Sequence, residues 1–461
     1  MTYLIISFLT LLLVYSVVNY FYFEAPLHLD QNKSYWALDH PVAVNPSLTV
    51  DAEADIVIIG GGYTGLSAAW HLAKENPGKR IILLEAKTLG NGASGRHGGM
   101  VLPAIMPNPV RRSAEMAKLK AAYDYSVASI EKIRAIEEAS GISCDLVTNG
   151  FLYTIFRKGE VAKMQKFAAQ FKSYGFPIEY WDKKMVESRV GTSRYEGALY
   201  IKDGGSVHAM KLVHALKVLC EREGVAIYEN SKVKEICEGK QIKLIVGDNS
   251  CKIITGHLVL ATNAFTSKLG YFKGKVMPLH LVNAATRPLT DTEMQSVQWA
   301  CRLPFADSRL ALYHLALTPD NRIVIGGGYA DYFYNNRLDF KGDKNRISNI
   351  LKEELAIMFP GLHNLTFDSV WNGVMGLTMD MEEIFGLTGS HQNISYVLGY
   401  NGHGVNLSIM YGQVIADLYA GKTSAFLRAR DGKSLPIPPE PFRYFGVQPI
   451  LKFANWYDSK K

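Results

Sequence analysis

Asp55-Ile56-Val57-Ile58-Ile59-Gly60-Gly61-Gly62-Tyr63-Thr64-Gly65 is the stretch that decides the fold. An unbroken aliphatic run ending in glycines is the pattern of a strand buried on both faces of a parallel sheet. Helical periodicity follows from Gly65 to Glu75, and a second apolar run covers Arg80 to Glu85. The glycines at 60, 62 and 65 have G-x-G-x-x-G spacing at the junction of strand and helix. Gly60 permits the sharp turn, Gly62 lets backbone approach a pyrophosphate, and Gly65 allows close helix–strand packing. The helix N-terminus then offers free N–H groups and a positive dipole end to phosphate. Glu85 stands 20 residues beyond Gly65, where a carboxylate accepts from ribose hydroxyls. The glycine spacing alone is weak. Strand, glycines, helix, strand and acid together predict a Rossmann-type nucleotide site, with contacts from Gly60, Gly62, Tyr63, Thr64, Gly65, Glu85 and Ala86.

The next segment separates the candidate nucleotides. Gly92-Ala93-Ser94-Gly95-Arg96-His97-Gly98-Gly99-Met100 follows directly from Glu85, where an NAD dehydrogenase would proceed to another crossover. Its glycines let backbone approach a second part of a long ligand, and Arg96 adds charge. The expected cofactor is FAD, threaded past Ala93, Ser94, Arg96, His97, Gly98, Gly99 and Met100 towards the isoalloxazine.

Outward from this unit the chain alternates. A long helix is expected over about 109–140, a strand over 151–157 and a helix over 160–174. The βαβ rhythm returns with a helix over 211–223 and strands over 225–229, 242–246 and 257–262. β-like runs fill 276–367, interrupted by a helix over 343–359; a strand over 394–398, a glycine turn and a helix over 405–419 close the body. The expected fold class is mixed α/β, with a Rossmann-like FAD-binding domain (55–118, 196–275, 370–427) interleaved with a β-sheet-based substrate domain (119–195, 276–369). A connector (24–54) precedes this body, and a basic aromatic tail (428–461) follows it.

On these residues the chain resembles the D-amino-acid oxidase, or glycine/sarcosine oxidase, family, nearest in pattern to its gamma-glutamylputrescine oxidase members. The resemblance runs from Ser34-Tyr35-Trp36 to Gly421. It rests on the dinucleotide fingerprint, Gly-Ala-Ser-Gly-Arg-His-Gly-Gly at 92–99 and Gly-Tyr-Asn-Gly-His-Gly-Val at 399–405. Leu-Val-Leu-Ala-Thr-Asn-Ala at 258–264, Ile-Gly-Gly-Gly at 325–328 and Trp-Asn-Gly-Val-Met-Gly-Leu-Thr-Met-Asp at 371–380 support it. It implies that Val233, Ala261 and Thr262 flank the cofactor and that Gly399, Gly402, His403, Gly404 and Val405 bring a helix N-terminus to the flavin. N–H donors and a helix dipole there stabilise the negative charge that hydride arrival creates. On the substrate side it implies Tyr313, with His97, Trp371 and Tyr400 beside the amine. His314 stands where the putrescine-type members tend to carry Arg, which leaves the substrate open. No cysteine lies between 305 and 320, so the FAD is expected to be non-covalent. The expected reaction is amine or amino-acid oxidation by hydride transfer to flavin N5, giving an imine that hydrolyses. Oxidation of a hydroxy acid or polyol and a flavin-binding protein without turnover are the alternatives.

Composition bounds the partners. With 48% hydrophobic and 20% charged residues the chain is globular. Five scattered cysteines form neither a disulfide framework nor a metal site. No basic stripe or recognition motif points to nucleic acid. From Tyr3 to Phe23 there is no charged residue, enough at helical rise for about 30 Å. An uncleaved transmembrane anchor is therefore expected, with the catalytic body in the cytoplasm. The tail from Arg428 to Lys461 carries seven Lys/Arg against three acids among many aromatics, which suits a membrane surface. Anchor and tail together favour a membrane quinone over oxygen as electron acceptor.

Overall fold

The computed structural model describes residues 33–103, 113–422 and 432–459, with Thr10 and Val14. A short helix α1 (Tyr35–Asp39) precedes β1 (Ala52–Ile59), α2 (Tyr63–Glu75) and β2 (Ile81–Leu84). β3 (Met100–Val101) and the long α3 (Ser113–Ser140) lead to β4 (Phe151–Ile155), α4 (Val161–Ser173), β5 (Ile178–Asp182), α5 (Lys183–Val190) and β6 (Gly197–Ile201). β7 (Gly205–Ser206) pairs with β3, and α6 (Ala209–Arg222) leads to β8 (Ala226–Tyr228), β9 (Val233–Cys237), β10 (Ile242–Val246) and β11 (Cys251–Leu260). Next come β12 (Met277–Thr286), α7 (Asp291–Val297), β13 (Phe305–Asp307), β14 (Tyr313–Leu317), β15 (Ile323–Asp331), α8 (Lys344–Met358) and β16 (Phe367–Leu377). β17 (Ile384–Thr388), β18 (Ile394–Leu398), α9 (Gly404–Tyr419) and α10 (Phe442–Ser459) complete the chain.

Two eight-stranded sheets carry this path. In the first, order β17-β18-β11-β1-β2-β8 with β10 and β9 alongside, β1 lies parallel between β11 and β2. Ile56, Val57 and Ile58 are wholly buried there, which is why the run reads as continuously apolar. Helices α2, α6 and α9 pack together on one side. The second sheet, β16-β12-β15-β14-β13-β4-β6-β5, is mostly antiparallel, and α8 covers one of its faces. It retains all of β6 and β16. The chain therefore crosses between sheets later than the boundaries drawn at 195 and 369, because Gly197 and the Asn-Gly step at 372–373 lie inside paired strands.

Among the described residues no helix is long and apolar enough to cross a membrane. The expected anchor at 3–23 lies, apart from Thr10 and Val14, outside them. The tail contains a helix, α10, that the sequence reading left without structure.

Candidate active site

The turn after β1 is built as a cradle. Gly60 has φ +113°, and a Cβ there would lie 2.6 Å from the Ala261 carbonyl oxygen. A Cβ on Gly65 would lie 1.8 Å from the Gly60 oxygen, so backbone packs where a side chain would stand. Gly62 caps α2 with no side chain over the first turn, and Ser94 Oγ accepts from the Tyr63 N–H at 2.9 Å. The loop at 92–95 is thus tied to the helix N-terminus. The Glu85 carboxylate accepts from the Gly61 and Lys87 N–H groups at 2.7 and 2.9 Å, and desolvation raises its pKa. Ser231 N–H donates to the Glu85 carbonyl, which brings the segment before Val233 beside this acid; the Val233 side chain packs in the core.

The second half of the loop is fastened to the other sheet through one carbonyl. Arg96 O accepts from Asn283 Nδ2 on β12 and from Trp371 Nε1 on β16, both at 2.8 Å. Asn283 Oδ1 meets His314 Nε2 at 3.0 Å. Because the amide donates to Arg96, its oxygen faces the ring, which makes Nε2–H the donor and Nδ1 the acceptor nitrogen. Burial lowers the His314 pKa to about 4, so the ring is neutral near pH 7. Gly98 makes room for it: a Cβ there would lie 2.5 Å from His314 Cδ2.

His97 is placed differently from an open substrate contact. Its Nδ1 accepts from Gly99 N–H at 3.0 Å, so Nε2 carries the proton and donates to Tyr63 Oη at 2.9 Å. Tyr63 in turn donates to Ala209 O. Desolvation lowers the His97 pKa to about 3. A neutral imidazole with both nitrogens engaged inside the protein holds the loop.

Tyr313 and His314 are neighbours on a strand and point to opposite faces. Tyr313 faces the core under α8, where the Arg309 guanidinium lies 4.1 Å from its ring and pairs with Asp307 and Glu354. The structure therefore brings His314, Trp371, Arg96, His97 and Gly98 together and leaves Tyr313 behind the sheet. Tyr400 donates to, or accepts from, Thr64 Oγ1 at 2.7 Å, in the packing between α2 and α9.

The 399–405 turn sits at the end of β18. Gly399 and Gly402 adopt φ +82° and +87°, and Gly399 N–H donates to Asn263 Oδ1 at 2.9 Å. His403 caps α9, which begins at Gly404 and Val405, with no side-chain cap bond. Thr262 Oγ1 is 2.8 Å from Thr266 Oγ1, one turn further on. Asn283 escaped the sequence reading, because a lone asparagine in an apolar strand carries no motif; Asn263 and Asn372 stand inside the motifs at 258–264 and 371–380, which assign them no role.

A cleft between the two sheets is lined by Asn91, Gly92, Ala93 and Arg96 from the loop and by Asn372, Gly373 and Val374 from β16. The Arg96 guanidinium donates to the carbonyls of Asn91 and Asn372. Asn372 Oδ1 is buried without a hydrogen-bond partner, an arrangement that costs free energy unless a ligand donates to it. The glycine cradle, the uncapped helix starts and this orphaned acceptor fit an extended nucleotide such as FAD. A second, open cleft by Glu238 and Tyr271 at the edge of the first sheet lies away from these groups. Among the described residues no His/Cys/Asp/Glu cluster could hold a metal.

Comparison with known proteins agrees with this geometry. The chain is 29% identical over 387 residues to the probable oxidoreductase OrdL of Haemophilus influenzae, covering 82% of this chain and 85% of the relative. It is 27% identical over 408 residues to the gamma-glutamylputrescine oxidoreductase of Escherichia coli, covering 86% and 91%. The crystal structure of glycine oxidase from Geobacillus kaustophilus superposes with a TM-score of 0.68 at 21% identity, over 81% of this chain and 96% of that one. L-proline dehydrogenase from P. horikoshii gives 0.67 at 21% identity, with the same coverage. Residues 55–418 match the family DAO, FAD dependent oxidoreductase, and the chain belongs to that family.

Proposed function

We propose that the protein oxidises the CH–NH bond of a small amine or amino acid. The relatives named for gamma-glutamylputrescine and glycine support that substrate class. The observation that carries the reading is the joint between the sheets. A neutral imidazole, His314, stands against Gly98 of the flavin loop, its tautomer held by Asn283. Its acceptor Nδ1 suits an amine N–H, and its lack of charge avoids repelling a cationic substrate. FAD held along the glycine cradle and the 92–99 loop would supply the acceptor for hydride from the substrate C–H bond. The nitrogen loses its proton, a C=N bond forms, and water then adds to carbon and breaks the C–N bond. The glycine cradle would hold the diphosphate, the Arg96 carbonyl hub fixes the loop between the sheets, and the N–H groups at the start of α9 would stabilise negative charge on the reduced flavin. Anaerobic titration with a panel of primary and secondary amines and amino acids tests the reading: at least one bleaches the yellow protein. A panel that leaves the flavin oxidised sinks it.

The cofactor is non-covalent in this reading, supported by the absence of cysteine from 305–320. Acid precipitation then releases all the yellow colour to the supernatant. We also propose that Tyr3–Phe23 anchors the protein in a membrane with its body in the cytoplasm, and that a quinone receives the electrons; the uncharged stretch supports this. Release of the full chain by alkaline carbonate would count against the anchor.

A further inference from the structure

Helix α10 is mounted with its apolar side outward. Its inward contacts are largely polar and run along its whole length. Arg443 donates to Asn336 Oδ1 and Pro438 O. Gln448 donates to Asp331 Oδ1 and Tyr332 O at 2.8 and 2.7 Å. Asp458 accepts from Arg157 at 2.9 Å and from the Ala311 N–H at 2.7 Å. The opposite face presents Phe442, Phe445, Ile450, Phe453 and Trp456, with exposures of 42%, 67%, 67%, 53% and 53%. At 100° per residue these five, with the exposed Pro449, occupy one continuous arc, and exposed Lys452 stands at its edge. A helix that folded only to cover the body would point these side chains inward. Contiguous exposed apolar surface of this kind marks an interaction site.

We infer that the outer face of α10 lies in the interface of an anionic lipid bilayer, parallel to its plane. Phenylalanine and tryptophan are the residues that settle at the headgroup boundary, and cations beside them meet anionic lipid. Lys452, at the edge of the arc, is such a cation, and the segment from Arg428 to Lys461 is basic as a whole, seven Lys/Arg against three acids, with Arg443 among them turned inward. The inference builds on the anchor proposed for Tyr3–Phe23, and the two can share one membrane. The chain re-enters at Ser34 and Tyr35, whose hydroxyl donates to Asp320 just before β15; α10 docks at Asp331, the other end of that strand. The strand's nine residues span about 30 Å, and the stretch from Glu24 to Lys33 reaches at most about 33 Å, so its length can bridge that span. The face binds bilayer and leaves the flavin chemistry to the inter-sheet cleft.

Six tryptophans make the test clean, because Trp36, Trp299 and Trp371 are buried, Trp70 and Trp181 are half-buried, and none lies between 1 and 33. The full chain is reconstituted into vesicles of phosphatidylcholine and phosphatidylglycerol carrying brominated acyl chains, and tryptophan emission is compared with that in unbrominated vesicles. The expected result is a loss of emission in the parent that disappears in Trp456→Phe and shrinks in the double variant Phe445→Ser, Phe453→Ser. Retained flavin absorbance certifies the fold of each variant. If the chain sediments with vesicles but bromine quenches parent and Trp456→Phe alike, the helix proposal falls and the anchor stands. If it does not sediment, both fall. An unquenched Trp456 that is also shielded from acrylamide assigns the face to a second copy or another protein and overturns the lipid assignment.

Discussion

At Gly65 the cradle has no tolerance. A methyl group there would overlap the Gly60 carbonyl, 1.8 Å away, and the helix start would have to leave the strand. Gly65→Ala is expected to lower bound flavin at least tenfold, read as the ratio of visible to ultraviolet absorbance of the purified protein. An unchanged ratio would mean that the turn is not the diphosphate site. Asn283 is the other residue whose loss is specific. Its amide satisfies Arg96 O and orients His314 in one step, so Asn283→Ala removes two hydrogen bonds worth about 1 kcal/mol each. The freed imidazole can then rotate. We expect kcat/KM to fall about tenfold with flavin retained, whereas Trp371→Phe, which keeps Asn283 on the same carbonyl, should cost less. Equal losses in the two variants would show that the hub only packs.

At the scale of the element, β14 separates two neighbours that the sequence places side by side. His314 faces the flavin loop, and Tyr313 faces Arg309, Asp307 and Glu354 under α8. His314→Ala is expected to raise KM for the reducing amine at least tenfold, while Tyr313→Phe leaves steady-state constants within about twofold; the strand period requires this split. The reverse pattern would place the substrate behind the sheet. β14 also shows where the sequence stops being legible. The β1–α2–β2 unit announced itself because a buried parallel strand, a glycine turn and a helix each leave a local pattern. Nothing local distinguishes the two faces of Tyr313–Leu317, since both are covered: one by the α8 core, the other, at His314, by the loop at 96–99. α10 was hidden for another reason, because Gly446 and Pro449 lower helix propensity and its apolar side faces outward. The hub at Arg96 O was beyond reach in principle. It joins residues 96, 283, 314 and 371 through a carbonyl, and carbonyls have no sequence signature.

At the scale of the molecule, the alternation of the chain between two sheets leaves several imidazoles in the interior at once. His71, His257 and His314 have pKa values lowered to about 4 and His97 to about 3, in each case chiefly by desolvation. An unfolded chain binds these protons near 6.5. The folded chain does not, so the stabilisation is complete above pH 6.5 and is lost as pH falls towards 4. Glu383 works the other way. Burial raises its pKa to about 7, so the native state keeps a proton that the unfolded state releases near 4.5, and its contribution fades as pH rises through 7. Of these five groups, four oppose one between pH 5 and 6.5, so they contribute a net of about three protons, or about 4 kcal/mol per pH unit. The thermal midpoint of the holoprotein is therefore expected to fall steeply from pH 6.5 to pH 5. His257 supplies the control, because it bonds Ser395 Oγ at 2.7 Å, each of the two standing four residues back along its strand from Ala261 and Gly399 at the cofactor turns. His257→Asn should flatten the slope by about one proton without altering flavin content. A midpoint indifferent to pH over this range would show that these imidazoles reach water in the native protein.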